Sequence, residues 1–266
     1  MPRLPQQSTA ATFRVPPWTR RLIGPAWLLG LWIVLSRTGV ISEKMLAPPG
    51  KVWSAFTDLV STGELQHHLW VSLHRVATGL AIGITIGVVL AVLAGLFRIG
   101  EDIIDGPMQI LRSLPVLALV PLMIFWLGIG EEPKIALVSL GVTFPIYINT
   151  FAAIRSVDAG LVESTTTFGL RRPALVRHVV LPGSLPGFFT GLRFAFAVSW
   201  LVLVVAEQVN ATSGIGYLMM TAREFQRTDI MLVGLLVYGA LGFLSDLLVR
   251  LLERSALQWR RSFAPV

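Results

Sequence analysis

Cysteine is absent from this 266-residue sequence and histidine occurs only four times. No disulfide-stapled secreted module and no thiolate metal cluster can be built from it, and a zinc site has almost nothing to rest on. Charge is also scarce. Asp, Glu, Lys and Arg make up 14% of the residues, against about 25% in a typical soluble domain. Apolar residues fill 54% of the chain, too much for a body covered by water and too much for disorder. The bilayer is therefore the main solvent. Acids are the scarcest charges, 15 against 22 Lys and Arg, for a net charge of +7 and an isoelectric point near 10.7. A nucleic-acid binder would cluster these bases with aromatics on a soluble face. Here they sit between apolar runs, which excludes nucleic acid as the partner. A Gly-x-x-x-x-Gly-Lys-Ser/Thr phosphate loop is missing as well, so the chain cannot cradle ATP in the P-loop manner.

What is present is a series of apolar runs. A span needs about 20 mostly apolar residues, and six runs are candidates: Leu22 to Ser36, which is short and interrupted by Pro25, Thr78 to Phe97, Pro107 to Gly128, Ile135 to Ile154, Leu185 to Ala206 and Ile230 to Leu252. The fold class is all-α, a polytopic membrane bundle of six helices. The basic start before Leu22 resembles a signal peptide, but no small-residue cleavage site follows and further spans do. An uncleaved first helix is expected. Thirteen Lys and Arg fall in the tails and on the side of loop 156–184, and seven on the other side, with Arg75 counted among those seven. The positive-inside rule then puts both termini in the cytoplasm. The chain divides into a basic tail 1–21, one transmembrane domain 22–255 and a tail 256–266. Between Arg37 and Arg75 the chain is too polar to span, and short helices lying on the outer face are expected there.

The second run carries Gly79, Gly83, Gly87, Ala91 and Gly95, a small residue at every fourth position. Small residues let helix backbones approach in lipid, where little hydrophobic drive pulls helices together. Two partners are compatible with this stripe: another helix of the same chain, or a second subunit. Pro107, Pro115, Pro121 and Pro145 break or kink the third and fourth runs, and the freed backbone groups need neighbours or a cavity.

The loop between the fourth and fifth runs is the most informative stretch. It reads Val157-Asp-Ala-Gly-Leu-Val-Glu163-Ser164-Thr165-Thr-Thr-Phe-Gly169, and continues to Val179-Val-Leu181-Pro182. Leu161, Thr165, Phe168 and Leu170 suit a short amphipathic helix stopped by Gly169. A second short helix begins near Pro173, and Leu181-Pro182 is expected to end it before the next span. Glu163, a Gly six residues later and the Val-x-Leu-Pro close resemble the EAA motif of permease subunits of bacterial ABC importers. Ser164 and Thr165 stand in place of the two alanines. Leu46-Ala-Pro-Pro-Gly-Lys, Gly63-Glu-Leu-Gln-His-His, Phe144-Pro-Ile-Tyr-Ile-Asn-Thr and Ala206-Glu207 followed by Ser213-Gly-Ile-Gly-Tyr extend the likeness over roughly residues 20 to 255. They are similar to the sulfonate/nitrate/taurine group, the aliphatic sulfonate branch above all.

The resemblance implies a homodimeric type I importer permease in the bacterial inner membrane. It also implies two separate ATP-binding subunits, which hold ATP and Mg, and a periplasmic substrate-binding protein. Glu163, Ser164, Thr165, Gly169, Leu181 and Pro182 would couple the chain to the ATPase. No cofactor or metal is expected in the chain itself, and it is not expected to be an enzyme. Aliphatic sulfonates are the expected solutes, with taurine, nitrate or another small solute as the alternative. A proton-coupled secondary transporter is a remoter one, since it needs intramembrane acids along a relay and only Glu207 and Asp246 are candidates. Arg193, about 12 Å of helix rise into the fifth run, and Arg112 either snorkel to headgroups or line a pathway for an anion. Glu207, Gly214 and Gly216 are read either as an outer gate or as an ordinary outside loop with a solvated acid.

Overall fold

The structure, a computed structural model, describes residues 17–259, all helix and loop, with no strand among them. Arg3, Arg14, Arg260 and Arg261 of the two basic tails lie outside the described residues. In chain order the helices are α1 (Pro17–Arg37), α2 (Pro49–Ser61), α3 (Glu64–Leu96) and α4 (Arg98–Ser113). A 3-10 turn, Val116–Leu119, leads into α5 (Val120–Leu127), followed by α6 (Glu132–Arg155), α7 (Ala159–Thr167), α8 (Arg172–Leu175), α9 (Leu181–Val209), α10 (Ile215–Glu224) and α11 (Thr228–Ala256).

Four helical stretches are long and apolar enough to cross a membrane: α3, α6, Arg172–Val209 and α11. A fifth forms if α4 and the Val116–Leu127 segment count as one, bent by 86°. The apolar part of α1, Ile23–Arg37, is shorter than these. The third run of the sequence is thus a broken element rather than a straight span. Pro115 explains the break: it lacks the N–H that would continue the ladder, and the residue before a proline avoids the helical region, whereas Pro121 sits in the first turn of α5, where its missing N–H is tolerated. Leu114, with ψ at 130°, is the extended residue at the corner.

Two further expectations are corrected. Residues 64–77 are not a separate helix on the outer face but the first four turns of α3. No proline or glycine interrupts them before Gly79, and His68, Ser72 and Arg75 find partners inside the bundle. Leu181-Pro182 does not end a helix either. The chain runs on through a π turn, Val176–Val180, in which the Leu181 N–H donates to the Val176 carbonyl. The wider turn accommodates the missing N–H of Pro182 without breaking the axis. One of the short helices expected between Arg37 and Arg75 is present as α2, which buries Val52, Ala55 and Leu59.

α6 is the hub. Its Val138, Val142, Ile146 and Ile154 face Gly79, Gly83, Gly87 and Gly95 of α3, a four-residue step on each helix. A methyl on Gly87 would lie 2.8 Å from Ile146 Cγ2, and one on Gly83 2.8 Å from Val142 Cβ. The small-residue stripe therefore serves packing within the chain, the first of the two partners considered. On its other side α6 meets α9, where a methyl on Gly191 would sit 2.7 Å from the Pro145 carbonyl oxygen. Leu137, Val138, Val142, Ile146, Ala195 and Leu203 form the centre of the main core. α11 turns Leu236, Phe243, Leu247 and Leu251 outward, an apolar face suited to lipid.

Overfilling a packed interface of this kind destabilises by about 1–3 kcal/mol or more. Gly87→Val is expected to lower the melting temperature of the detergent-solubilised chain, with exposure of the α3–α6 seam. Gly242→Ala, where a Cβ meets nothing within 4 Å, is expected to leave it unchanged or raise it. Equal melting of wild type and Gly87→Val would show that close backbone approach does not hold these helices.

Candidate functional site

Two polar features occupy opposite ends of α6 and α9. The first is the loop that follows α6. In α7 the hydroxyls of Ser164, Thr165 and Thr167 donate to carbonyls one turn back, those of Gly160 (2.6 Å), Leu161 (2.7 Å) and Glu163 (2.9 Å). Gly169 then stops the helix with φ at +84°, while the Leu170 N–H reaches back five residues to the Thr165 carbonyl at 3.1 Å. That is a Schellman-type stop, which needs a residue free to adopt the left-handed region. Glu163 is exposed on this helix. Leu161 and Phe168 are 55% and 85% exposed, an apolar tip projecting from a polar loop. Leu181 and Pro182 lie further on, in the first turn of α9. They join α8 to the long helix without an intervening hinge, while the Gly169 turn separates α7 from α8.

The second feature lies where α3 and α6 begin and α9 ends, and its centre is Arg75. Its side chain is 1% exposed. Nη1 donates to Glu207 Oε1 at 2.7 Å and to the Ser213 carbonyl at 2.7 Å, while Nε and Nη2 grip Glu131 in a bidentate pair. Glu207 is buried with no exposed side-chain surface. It also accepts from Ser72 Oγ (2.8 Å), the Gly216 N–H (2.8 Å) and Tyr238 Oη (3.1 Å). Two more N–H groups at the start of α10 are met in turn. Ile215 donates to Ser72 Oγ at 2.9 Å and Gly214 to His68 Nδ1 at 3.0 Å. A carboxylate at a helix N-terminus, hydrogen-bonded to the first free N–H groups, is favoured by charge and geometry together.

The two glycines of the turn have separate reasons. Gly214 has φ at +116° and the Glu207 carboxylate against it, leaving no room for a Cβ. At Gly216 a methyl would lie 2.8 Å from the Val204 carbonyl oxygen. Glu131, half-exposed in the turn before α6, has its carboxyl held below the usual carboxylate range, first by the Arg75 hydrogen bonds. Its contribution is therefore present at neutral pH and lost as pH falls through that lowered value.

With this geometry in place, comparison with known proteins decides the family. Residues 83–258 match the family described as binding-protein-dependent transport system inner membrane component. The chain belongs to this family. It is 45% identical to an aliphatic sulfonates transport permease protein of Escherichia coli, over 94% of each chain. Its identity to the corresponding Bacillus subtilis protein is 39%, over 92% of this chain and 89% of that one. A taurine transport system permease protein of Escherichia coli is 33% identical over 88% and 87%. Among solved structures, an amino acid ABC transporter shares the fold with a TM-score of 0.62 at 14% identity, covering 76% of this chain and 96% of that one. The MetNI methionine ABC transporter in an inward-facing form does so with 0.57 at 20%, covering 76% and 98%. The chain is thus an ABC importer permease, a multi-pass inner-membrane protein and a transport subunit.

The candidate residues of the permease fall into separate places. Glu163, Ser164, Thr165 and Gly169 share the α7 tip. Glu207, Gly214 and Gly216 meet in the buried cluster, so Glu207 is not the solvated acid of an ordinary loop. Arg193 sits apart, 45% exposed, with Nη2 2.6 Å from Glu253 Oε2 and Nε 3.4 Å from Asp246 Oδ1, both on α11. Arg112 is exposed in the last turn of α4. Sequence reasoning missed Arg75, Ser72, His68, Glu131 and Tyr238. Arg75 had been counted with the outside bases. The available signal was a lone arginine four residues before the glycine stripe of an apolar helix, a place where a charge needs a partner.

Removing one partner of a buried ion pair strands the other charge, which costs roughly 3–5 kcal/mol. Losing one neutral hydrogen bond costs about 1 kcal/mol. Glu207→Ala is expected to unfold the solubilised permease at much lower temperature, and Tyr238→Phe to shift it only slightly. Similar melting of the two variants would contradict the central place of the Arg75–Glu207 pair.

Proposed function

We propose that this permease forms, as a homodimer, the pathway of an ATP-driven importer for aliphatic sulfonates. Two separate ATP-binding subunits, which carry ATP and Mg, dock beneath loop 156–184 and a substrate-binding protein docks at the Arg75 end. In this reading both termini and the loop are cytoplasmic, as the arginine count of that side favours. The observation that carries it is the α7 tip. A short helix ended by Gly169 presents Glu163 between the exposed Leu161 and Phe168, a form suited to seating in a cleft of another protein. The continuous helix Arg172–Val209 would pass a push on that tip along the bundle. The sulfonate assignment rests on the higher identity to two sulfonate permeases than to the taurine permease, and taurine is the second reading.

Arg112 and Arg193 are proposed as basic groups of the pathway. At Arg193 an incoming anion would compete with Asp246 and Glu253, so its release needs no large reorganisation. Glu207, Gly214 and Gly216 would shape the outer gate as its fixed wall.

Reconstitution with the ATP-binding subunits and the binding protein tests the reading. Glu163→Lys is expected to abolish uptake and substrate-stimulated ATP hydrolysis while the melting temperature of the permease stays unchanged. Uptake at wild-type rate would refute the docking assignment, and uptake without ATP would refute the importer mechanism. A rise in binding-protein melting temperature with taurine but not with longer alkanesulfonates would favour the second reading.

A further inference from the structure

The guanidinium of Arg75 has two faces with different surroundings. Its inner face, Nη1, meets Glu207 and Ser213 in a region sealed from solvent, where α3, α9, α10 and α11 are joined by Ser72, Gly216 and Tyr238. Its outer face, Nε and Nη2, meets Glu131, whose side chain is 54% exposed. Glu131 closes the turn Gly128-Ile129-Gly130, in which Gly128 has φ at +79° and Ile129 is 88% exposed. That turn is the exit of the broken α4–α5 element.

This element is held loosely. Between residues 98 and 130 only Met108 and Val120 are buried. Its α4 half has polar ties of its own, Tyr147 Oη to Asp105 at 3.0 Å and Arg155 to Glu101 at 3.5 Å. Beyond the 86° bend the other half, residues 114–130, has Glu131 as the polar tie that ends it. Between this half and the α3–α6 pair lies an almost wholly apolar cleft of about 700 Å³, with Ile82, Ile86, Met108, Met123, Leu127 and Leu140 among its walls. Thr78 and Glu132 stand at the end of the cleft near Arg75.

We propose that the Arg75–Glu131 pair is a latch for the transport cycle: it holds residues 114–130 across the cleft, and its release lets them swing about the 113–116 corner. Arg75–Glu207 stays closed throughout and serves as the fixed seat of the latch. On release water takes over the exposed Glu131 carboxylate and Arg75 keeps its charge partner Glu207 and the Ser213 carbonyl, whereas letting go of the buried Glu207 would strand two charges away from water. Lys134, 3.5 Å from Glu131 and bonded to the Gly130 carbonyl, keeps the free carboxylate near its seat. The inference about the cycle rests on the importer reading above; the mechanical part does not.

Hydrogen exchange of the whole permease in lipid nanodiscs separates the two. In Glu131→Gln the amides of residues 114–130 are expected to exchange at least tenfold faster, with those of α10 unchanged. In the complex with ATP-binding subunits, the same variant is expected to hydrolyse ATP at least threefold faster without binding protein. Unchanged exchange at 114–130 overturns the latch, as does equal acceleration in α10, which would mean general loosening. Faster local exchange with unchanged ATP hydrolysis overturns its part in the cycle. If the wild-type chain assembles with no ATP-binding subunit, the importer reading fails and the exchange result still decides whether the latch exists.

Discussion

Lipid gives helices almost no hydrophobic reason to adhere, because the tails they would leave are as apolar as their own side chains. Association has to come from close atomic contact, and the arrangement of this permease follows from that constraint. α6 lies between α3 and α9 because both neighbours present glycine where it presents branched side chains or a carbonyl. With the backbones so close, the three helices behave as one body. α6 alone spans ~36 Å at 1.5 Å per residue. The α7 loop follows one end of this body, and the Arg75 cluster lies at the other.

The same constraint explains why the charges of the cluster are tolerated. A guanidinium among apolar helices is costly unless its donors find partners. Arg75 uses four of its five N–H donors on two carboxylates and a carbonyl. Glu207 in turn serves as the anion at the start of α10, so a single carboxylate neutralises Arg75 and caps a helix. The small residues Gly214 and Gly216 are what allow the chain to come close enough for this. The wall of the proposed gate is thus also a densely hydrogen-bonded point.

Much of this was legible in the residues because it depends on local rules. The α7 tip could be read since Gly169 is a helix stop by its own backbone freedom and Leu161 and Phe168 follow helical spacing. Broken helices around Pro115 were legible for the same reason, although the 86° corner was not. Pro182 misled, because a local rule says that proline ends a helix, while a π turn five residues wide let the helix continue. Residues 64–77 misled in a related way. Their polarity argued for the outer surface, yet Ser72 and Arg75 are buried against partners more than 130 positions away in sequence.

The sequence by itself determined that this is a membrane protein, that its third apolar run breaks at Pro115, and that a glycine-stopped helix projects from one loop. Scarcity of charge, missing N–H groups and left-handed backbone are properties of single residues or short windows. Only the tertiary structure decided which helix the glycine stripe meets and what becomes of the lone charges. Pairing Arg75 with both Glu131 and Glu207 requires three distant segments to meet. Whether a charge is solvated, snorkelling or sealed depends on those neighbours and not on its own position in the chain.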